Sequence, residues 1–362
     1  MKKSLKRIAA VTLCAVMAVG MASVGAAKTE AAETEKTKLY VVNWKDYASD
    51  DEELMAAFEE EYNCEIVNTY MESEETLLTM LKTAGEGEID VCLPNCTILT
   101  AAINEGLLKP IDTSKLSNFD QLYDRFKNQA ECFGEDGQMY AVPFVWGSTA
   151  IAYNTELLEE APTTIAALFD EQYAGKIAFR DDYNDAIMTA ALVLGMDPTD
   201  PDSLDLDAIE DLLIEQKPIV KAYWQTGDEF SKMFVGGQVE LGLMWSGQTA
   251  AMKAEGEPIA FTVPEDGALG WVDNWGIAAG SQHEDLAYAF IDYMISHDVQ
   301  YAWSSTGGPA PANQTAAEDI DPDYAASCGM DEESLNRLSF MVYLDDETKA
   351  EWAELWIEVK AY

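Results

Sequence analysis

Cations are scarce in this chain. Its 362 residues hold 22 Lys and Arg against 66 Asp and Glu, a formal net charge of −44. A surface of that sign repels phosphate, so nucleic acid and anionic membranes are excluded as partners recognised by general electrostatics. Histidine is scarcer still, with only His283 and His297. The CxxxC of "CLPNC" (Cys92 to Cys96) has no second Cys pair and no nearby His, so no zinc set assembles. No G-x-S-x-G stretch occurs, and neither histidine lies near the acid-rich segments. The usual nucleophile-and-base arrangements are therefore missing. After the first 27 residues no apolar run reaches the roughly 18 residues needed to span a bilayer. The sequence thus predicts no catalytic residue, no metal and no cofactor.

The start of the chain differs from the rest. Lys2, Lys3, Lys6 and Arg7 are followed by an apolar run that ends in small residues, with Val24-Gly25-Ala26 as a cleavage site. Residues 1–27 read as a signal peptide and 28–38 as a polar leader. The expected location is extracytoplasmic, in a periplasmic space or at the cell surface. Leu13 before Cys14 fits a lipoprotein signal poorly. Cys64, Cys92, Cys96, Cys132 and Cys328 remain, an odd number that cannot all pair internally. Buried free thiols and one disulfide are both open.

A chain this long exceeds one ordinary core, so two lobes are expected. "LYVVNW" (39–44) reads as a strand, followed by a helix capped by Ser49 or Asp50, then a strand at "CEIVNTYM" and a helix capped by Ser73. "IDVCLP" and "TILTAAINEG" add another strand and helix, completing the alternation of a parallel sheet. After "QMYAVPFVWGSTAIAYN" (138–154) a second α/β series begins, and two helices close the chain. The lobes are placed at 39–148 with about 276–312, and at 149–275 with about 313–362.

In open α/β sheets ligands bind beyond the carboxyl ends of strands. Aromatics gather beside polar or acidic residues in "NWKDY" (43–47), "FVWGST" (144–149), "FRDDYND" (179–185), "MWSGQ" (244–248) and "GWVDNW" (270–275), all read as loops. Carboxylates give charge-assisted hydrogen bonds to ammonium groups, and indole and phenol faces attract cations and cover methylenes. The candidate ligand-binding residues are Trp44, Asp46, Tyr47, Asn95, Asp182, Asp185, Trp245, Trp271, Asp273 and Trp275. Asp273, between Trp271 and Trp275, is expected to hold an alkylammonium walled by indoles.

These segments resemble the bacterial extracellular polyamine-binding proteins, the spermidine/putrescine-binding components of ABC importers. "NWKDY" is similar to that family's Asn-Trp-x-Glu/Asp-Tyr. "PFVWGSTAI", "DDYNDAIMTAAL", "VELGLMWSG" and "GALGWVD" match later segments in order. The resemblance implies an α/β, two-lobed periplasmic-binding-protein fold of type II, each lobe a doubly wound sheet, with ligand in the cleft between them. It implies that Trp44 and Tyr47 wall the ligand chain, that Asp182, Asp185 and Trp245 line the site, and that Asp273 beside Trp271 grips a terminal amine. The implied partners are a polyamine and the permease subunits of an ABC transporter, with the binding protein a monomer. The chain departs from the pattern at Lys45, at Asn95-Cys96-Thr97, at Gly308, and around Met341 to Tyr343. A binding protein for another solute such as a sugar is the rival reading, opposed by the acid-rich loops. A secreted hydrolase using Asp182 and Asp185 is a weaker one, since no second acid clearly opposes them.

Overall fold

The computed structural model describes residues 36–362. Cys14, the segment read as a signal peptide and most of the segment read as a polar leader lie outside the described residues. The chain opens with β1 (Thr37–Asn43), α1 (Glu52–Glu61), β2 (Cys64–Tyr70), α2 (Glu74–Thr83), β3 (Val91–Cys92) and α3 (Cys96–Asn104). Parallel pairing of β1 with both β2 and β3 matches the alternation read from the sequence. Ser73 caps α2 as expected, accepting from Thr76 N–H. Asp51 caps α1, in place of Ser49 or Asp50. Those two are engaged elsewhere: Ser49 Oγ accepts from Asn43 Nδ2, and Asp50 takes the N–H groups of Asp46 and Tyr47.

The remaining strands are β4 (Ala141–Asn154), β5 (Ile177–Arg180), β6 (Val220–Trp224), β7 (Leu241–Trp245), β8 (Ile259–Thr262), β9 (Ala268–Ile277), β10 (Ala310–Pro311) and β11 (Leu338–Phe340). They join one continuous sheet of order β2-β1-β3-β9-β4-β7-β5-β6, with β8 and β10 on β4 and β11 on β9. The sequence reading expected a separate sheet in each lobe. The difference lies in two stretches read as loops: "FVWGST" is inside β4 and "GWVDNW" is inside β9. Their Val, Trp and Phe residues suit a pleated buried surface, and alternation along the strand outweighs the flanking glycines.

Two main cores lie along this sheet, and β4 and β9 feed both. Val142 to Trp146, with Trp275 and Ile277, join the first core around Val41, Val91 and Phe290. Ile151 and Leu269 join the second, around Phe179, Ile187 and Leu243. A smaller cluster around Trp224, Phe230 and Phe261 flanks the second. Ile320, Ala325, Cys328, Met330 and Leu335 pack in the first core, although the sequence reading gave residues 313 onward to the second lobe. The chain returns there because β10 pairs with β4 at Val145 and Trp146. After β9 the described residues hold six α-helices, not two, ending with Asp346–Ala361, which docks Trp352 and Val359 into the second core. All five described cysteines are buried and unpaired. No helix among the described residues is long and apolar enough to cross a membrane.

Trp275 is 0% exposed, with Phe144 and Phe290 against its indole. Trp275→Ala should cost about 3–5 kcal/mol of stability through the cavity it leaves. Urea unfolding measures this, and a loss under about 1 kcal/mol would mean that the indole is not a core element.

Candidate functional site

Asp273 lies on β9 where the strand passes from one core to the other, opposite Val145 of β4. Its carboxylate is almost enclosed, with the residue 4% exposed. Tyr47 Oη donates to its Oδ2 at 2.5 Å, and Asn95 Nδ2 donates to its Oδ1 at 2.8 Å.

The loop after β1 is built to aim Tyr47. Asn43 is buried and donates to the Tyr47 carbonyl at 2.7 Å, and its own Oδ1 receives the Trp44 N–H. Asp46 and Ala48 sit at φ 58° and 63°, a region non-glycine residues enter only when their surroundings hold them there. Asn95 caps α3, taking the Thr97 N–H on Oδ1, which leaves Nδ2 for Asp273. Glu74, in the first turn of α2, accepts the Asn95 backbone N–H at 3.0 Å. Tyr47, Asp273, Asn95 and Glu74 therefore form one connected group.

Electrostatics follow from enclosure. Burial pushes the Asp273 carboxyl up to about 6, against the pull of its Tyr47 and Asn95 hydrogen bonds. Glu74 lies well above the usual carboxylate range, through burial first and then the Asp273 charge. Burial and Asp273 likewise hold the Tyr47 phenol neutral well past its ordinary value.

A second group forms at the end of β5. Asp182 caps the helix Tyr183–Val193, accepting the N–H of Asn184 and Asp185 at 2.9 and 3.2 Å. Asp185 is fully buried. Arg180 reaches both acids, with Nη1 at 2.6 Å from Asp185 and Nη2 at 3.5 Å from Asp182. Its guanidinium stands over the Trp245 ring, 4.5 Å from the centroid. Burial raises the Asp185 carboxyl and Arg180 pulls it back. The Arg180 charge also lowers Glu74, so the two groups lie within electrostatic reach of each other.

The structure thus gathers Tyr47, Asn95 and Asp273 in one group, and Asp182, Asp185 and Trp245 in another. Trp44 is half-buried against the first core and Trp271 against the second. Trp271 lies directly on the β4 backbone: a Cβ on Gly147 would stand 2.2 Å from its Cζ2, so that position admits only glycine. Two expected residues are not brought in. Asp46 is exposed and faces Lys45 at 3.4 Å, and Lys45 itself is 71% exposed. Trp275 is core, so Asp273 is not walled by two indoles.

Three residues escaped the sequence reading. Glu74 was absorbed into the first turn of a capped helix. Arg180 was passed over inside "FRDDYND", although it is the only cation between Lys176 and Lys217. Trp303 meets Tyr47 edge-on at 4.8 Å, and a Cβ on Gly308 would lie 2.7 Å from its ring. The indole fills the space that a larger residue at 308 would take. Its signal was an aromatic just before "SSTGGP".

Comparison with known proteins gives a consistent picture. A family model described as bacterial extracellular solute-binding protein matches residues 53–331. The spermidine/putrescine-binding periplasmic protein of Escherichia coli K12 is 28% identical over 288 residues, covering 79% of this chain and 81% of that protein. The putrescine/cadaverine-binding protein of Pseudomonas aeruginosa is 26% identical over 340 residues, covering 89% and 93%. The solved structure of a spermidine/putrescine ABC transporter substrate-binding protein from Streptococcus pneumoniae superposes with a TM-score of 0.79 at 26% identity, covering 90% of this chain and 99% of that one.

Asp273 generates a pH prediction. Its folded value of about 6 exceeds the ordinary 3.8, so the folded protein holds this proton where the unfolded chain releases it. The stabilisation from this group is full below about pH 4 and lost as pH rises through 6. Between pH 4 and pH 8 the stability of Asp273→Asn should gain on wild type by on the order of 2 kcal/mol. Urea midpoints at the two pH values measure it, and parallel profiles would show that Asp273 does not titrate in this window.

Proposed function

Because the chain belongs to the bacterial extracellular solute-binding proteins, we propose that it captures a polyamine, spermidine or putrescine, outside the cytoplasmic membrane and delivers it to the permease of an ABC importer. The observation that carries this reading is Asp273. A nearly enclosed carboxylate is held by two neutral donors, and no Lys or Arg pairs with it among the described residues. An anion in that state is costly, which is why its carboxyl holds a proton more tightly than an exposed one. An alkylammonium would supply the missing charge as a charge-assisted hydrogen bond, with Tyr47 and Trp303 as apolar and π-rich neighbours for the methylenes. The names of the relatives point to the same ligand class.

Several further features belong to this reading. Residues 1–27 direct export. The protein acts as a monomer whose two lobes, joined through β4 and β9, close on the ligand. Trp44, Trp271, Trp245, Asp182 and Asp185 complete the binding surface.

Thermal melting with putrescine, spermidine and glucose tests the ligand class. An amine at a hundredfold its dissociation constant should stabilise by about 2.7 kcal/mol, and glucose should do nothing. A shift with the sugar alone would overturn the proposal. Asp273→Asn should bind the amine about ten- to hundredfold more weakly by calorimetry, having lost one charge-assisted contact. Unchanged affinity would remove Asp273 from the site.

A further inference from the structure

The cation that intrudes on this site is not the one the sequence draws attention to. Lys45 stands beside the candidate aromatics in "NWKDY", yet its side chain is exposed and faces Asp46. Arg180 is the half-buried counterpart. Three of the residues expected to receive an ammonium, Asp182, Asp185 and Trp245, converge on its guanidinium, at 3.5 Å, 2.6 Å and 4.5 Å from the ring centroid. Two carboxylates and an indole face are what a cationic ligand group would seek, and a planar, permanently charged guanidinium meets all three at once.

We propose that Arg180 is a tethered cation occupying one of the ammonium positions of the binding site, so that the protein selects a diamine over a triamine. This rests on the polyamine reading and narrows it. The two ends of the site are then unequal. The Asp273 end, with Glu74 beside it through Asn95, has carboxylates and no paired cation among the described residues. The Arg180 end has its acids already paired. One ammonium of the ligand is held at Asp273. A chain long enough to carry further ammonium groups toward β5 brings positive charge against the guanidinium, and like charges at short range in a poorly hydrated site repel strongly. A short diamine avoids this. Arg180 is held by Trp245 against one face and by its two ion pairs, which resists displacement by an arriving amine.

Calorimetric titration of the full exported chain with putrescine and spermidine tests this in wild type, Arg180→Thr and Arg180→Lys. Wild type should bind putrescine at least tenfold more tightly than spermidine. In Arg180→Thr the putrescine-to-spermidine affinity ratio should fall at least tenfold, because Asp182 and Asp185 become available. Arg180→Lys returns a cation to the place and should bring the diamine preference back. A merely structural Arg180 would lower the melting temperature of Arg180→Thr and leave the ratio unmoved, which would overturn the proposal. So would a wild-type preference for spermidine, or equal affinities. Should Arg180→Thr fail to fold with Asp185 unpaired, the pair Arg180→Thr and Asp185→Asn carries the same comparison, with Asp182 still offering a carboxylate. Wild type binding neither amine would refute the polyamine reading itself and the inference with it.

Discussion

The antiparallel pairing of β4 with β9, from Ala141–Gly276 to Thr149–Leu269, sets the conditions for the rest of the molecule. Each strand supplies apolar side chains to one core at one end and to the other core at its opposite end. Residues midway belong to neither core, yet the strands are fully covered there. Ser148 and Thr149 fall in that stretch of β4, Asp273 and Asn274 lie just past it on β9, and all four are buried. A polar group buried at such a place must find partners locally, and Asp273 finds Tyr47 from the loop after β1 and Asn95 from the cap of α3. The register shift between Pro143 and Val145 lies opposite this point. Irregularities of this kind re-aim side chains and recur beside functional sites.

Charge is managed differently on the two sides of this passage. Asp273 is surrounded by neutral donors, so burial raises its affinity for a proton with no cation paired to it among the described residues to offset this. Asp185, fully buried, already has Arg180 within 2.6 Å. Among the described residues the first arrangement contains no cation of its own and the second contains Arg180. The large negative charge of the whole chain plays no part in this difference, because solvent screens surface acids over distances of roughly 10 Å at ordinary ionic strength.

Much of this was legible in the residues. The alternation at the start of the chain encodes its parallel strands, because apolar runs and Ser, Asp or Asn caps act locally. Asp273 and Tyr47 could be singled out since aromatic and acidic residues together have few structural uses, whereas Asn95 drew notice only through the family resemblance. What stayed hidden depends on long-range contact. "GWVDNW" reads as a glycine-flanked loop until β4 pairs along it. Trp275 looks like a partner of Asp273 in sequence, but Phe144 and Phe290 claim it in space. Arg180 is inconspicuous among its acids, and only the approach of Trp245, a residue 65 positions on (245 − 180), shows its role. The cap of α1 moved by a residue because Asn43 and Tyr47 engage Ser49 and Asp50, a contest that no propensity expresses.

The unpaired cysteines have a bearing on time. Cys64, Cys92, Cys96, Cys132 and Cys328 are sealed inside a protein whose family works outside the cytoplasm, where oxidants are at hand. Burial also holds Cys92, Cys96 and Cys132 in the unreactive thiol form. The native fold thereby takes the place of a redox shield, and it does so only while it is folded. Five thiols become available together whenever the cores open. A chain folding in such a compartment must complete its folding faster than its thiols are oxidised, and each later excursion from the native state risks a mispaired bridge. Slow unfolding, more than equilibrium stability, sets the lifetime of such a protein in its compartment.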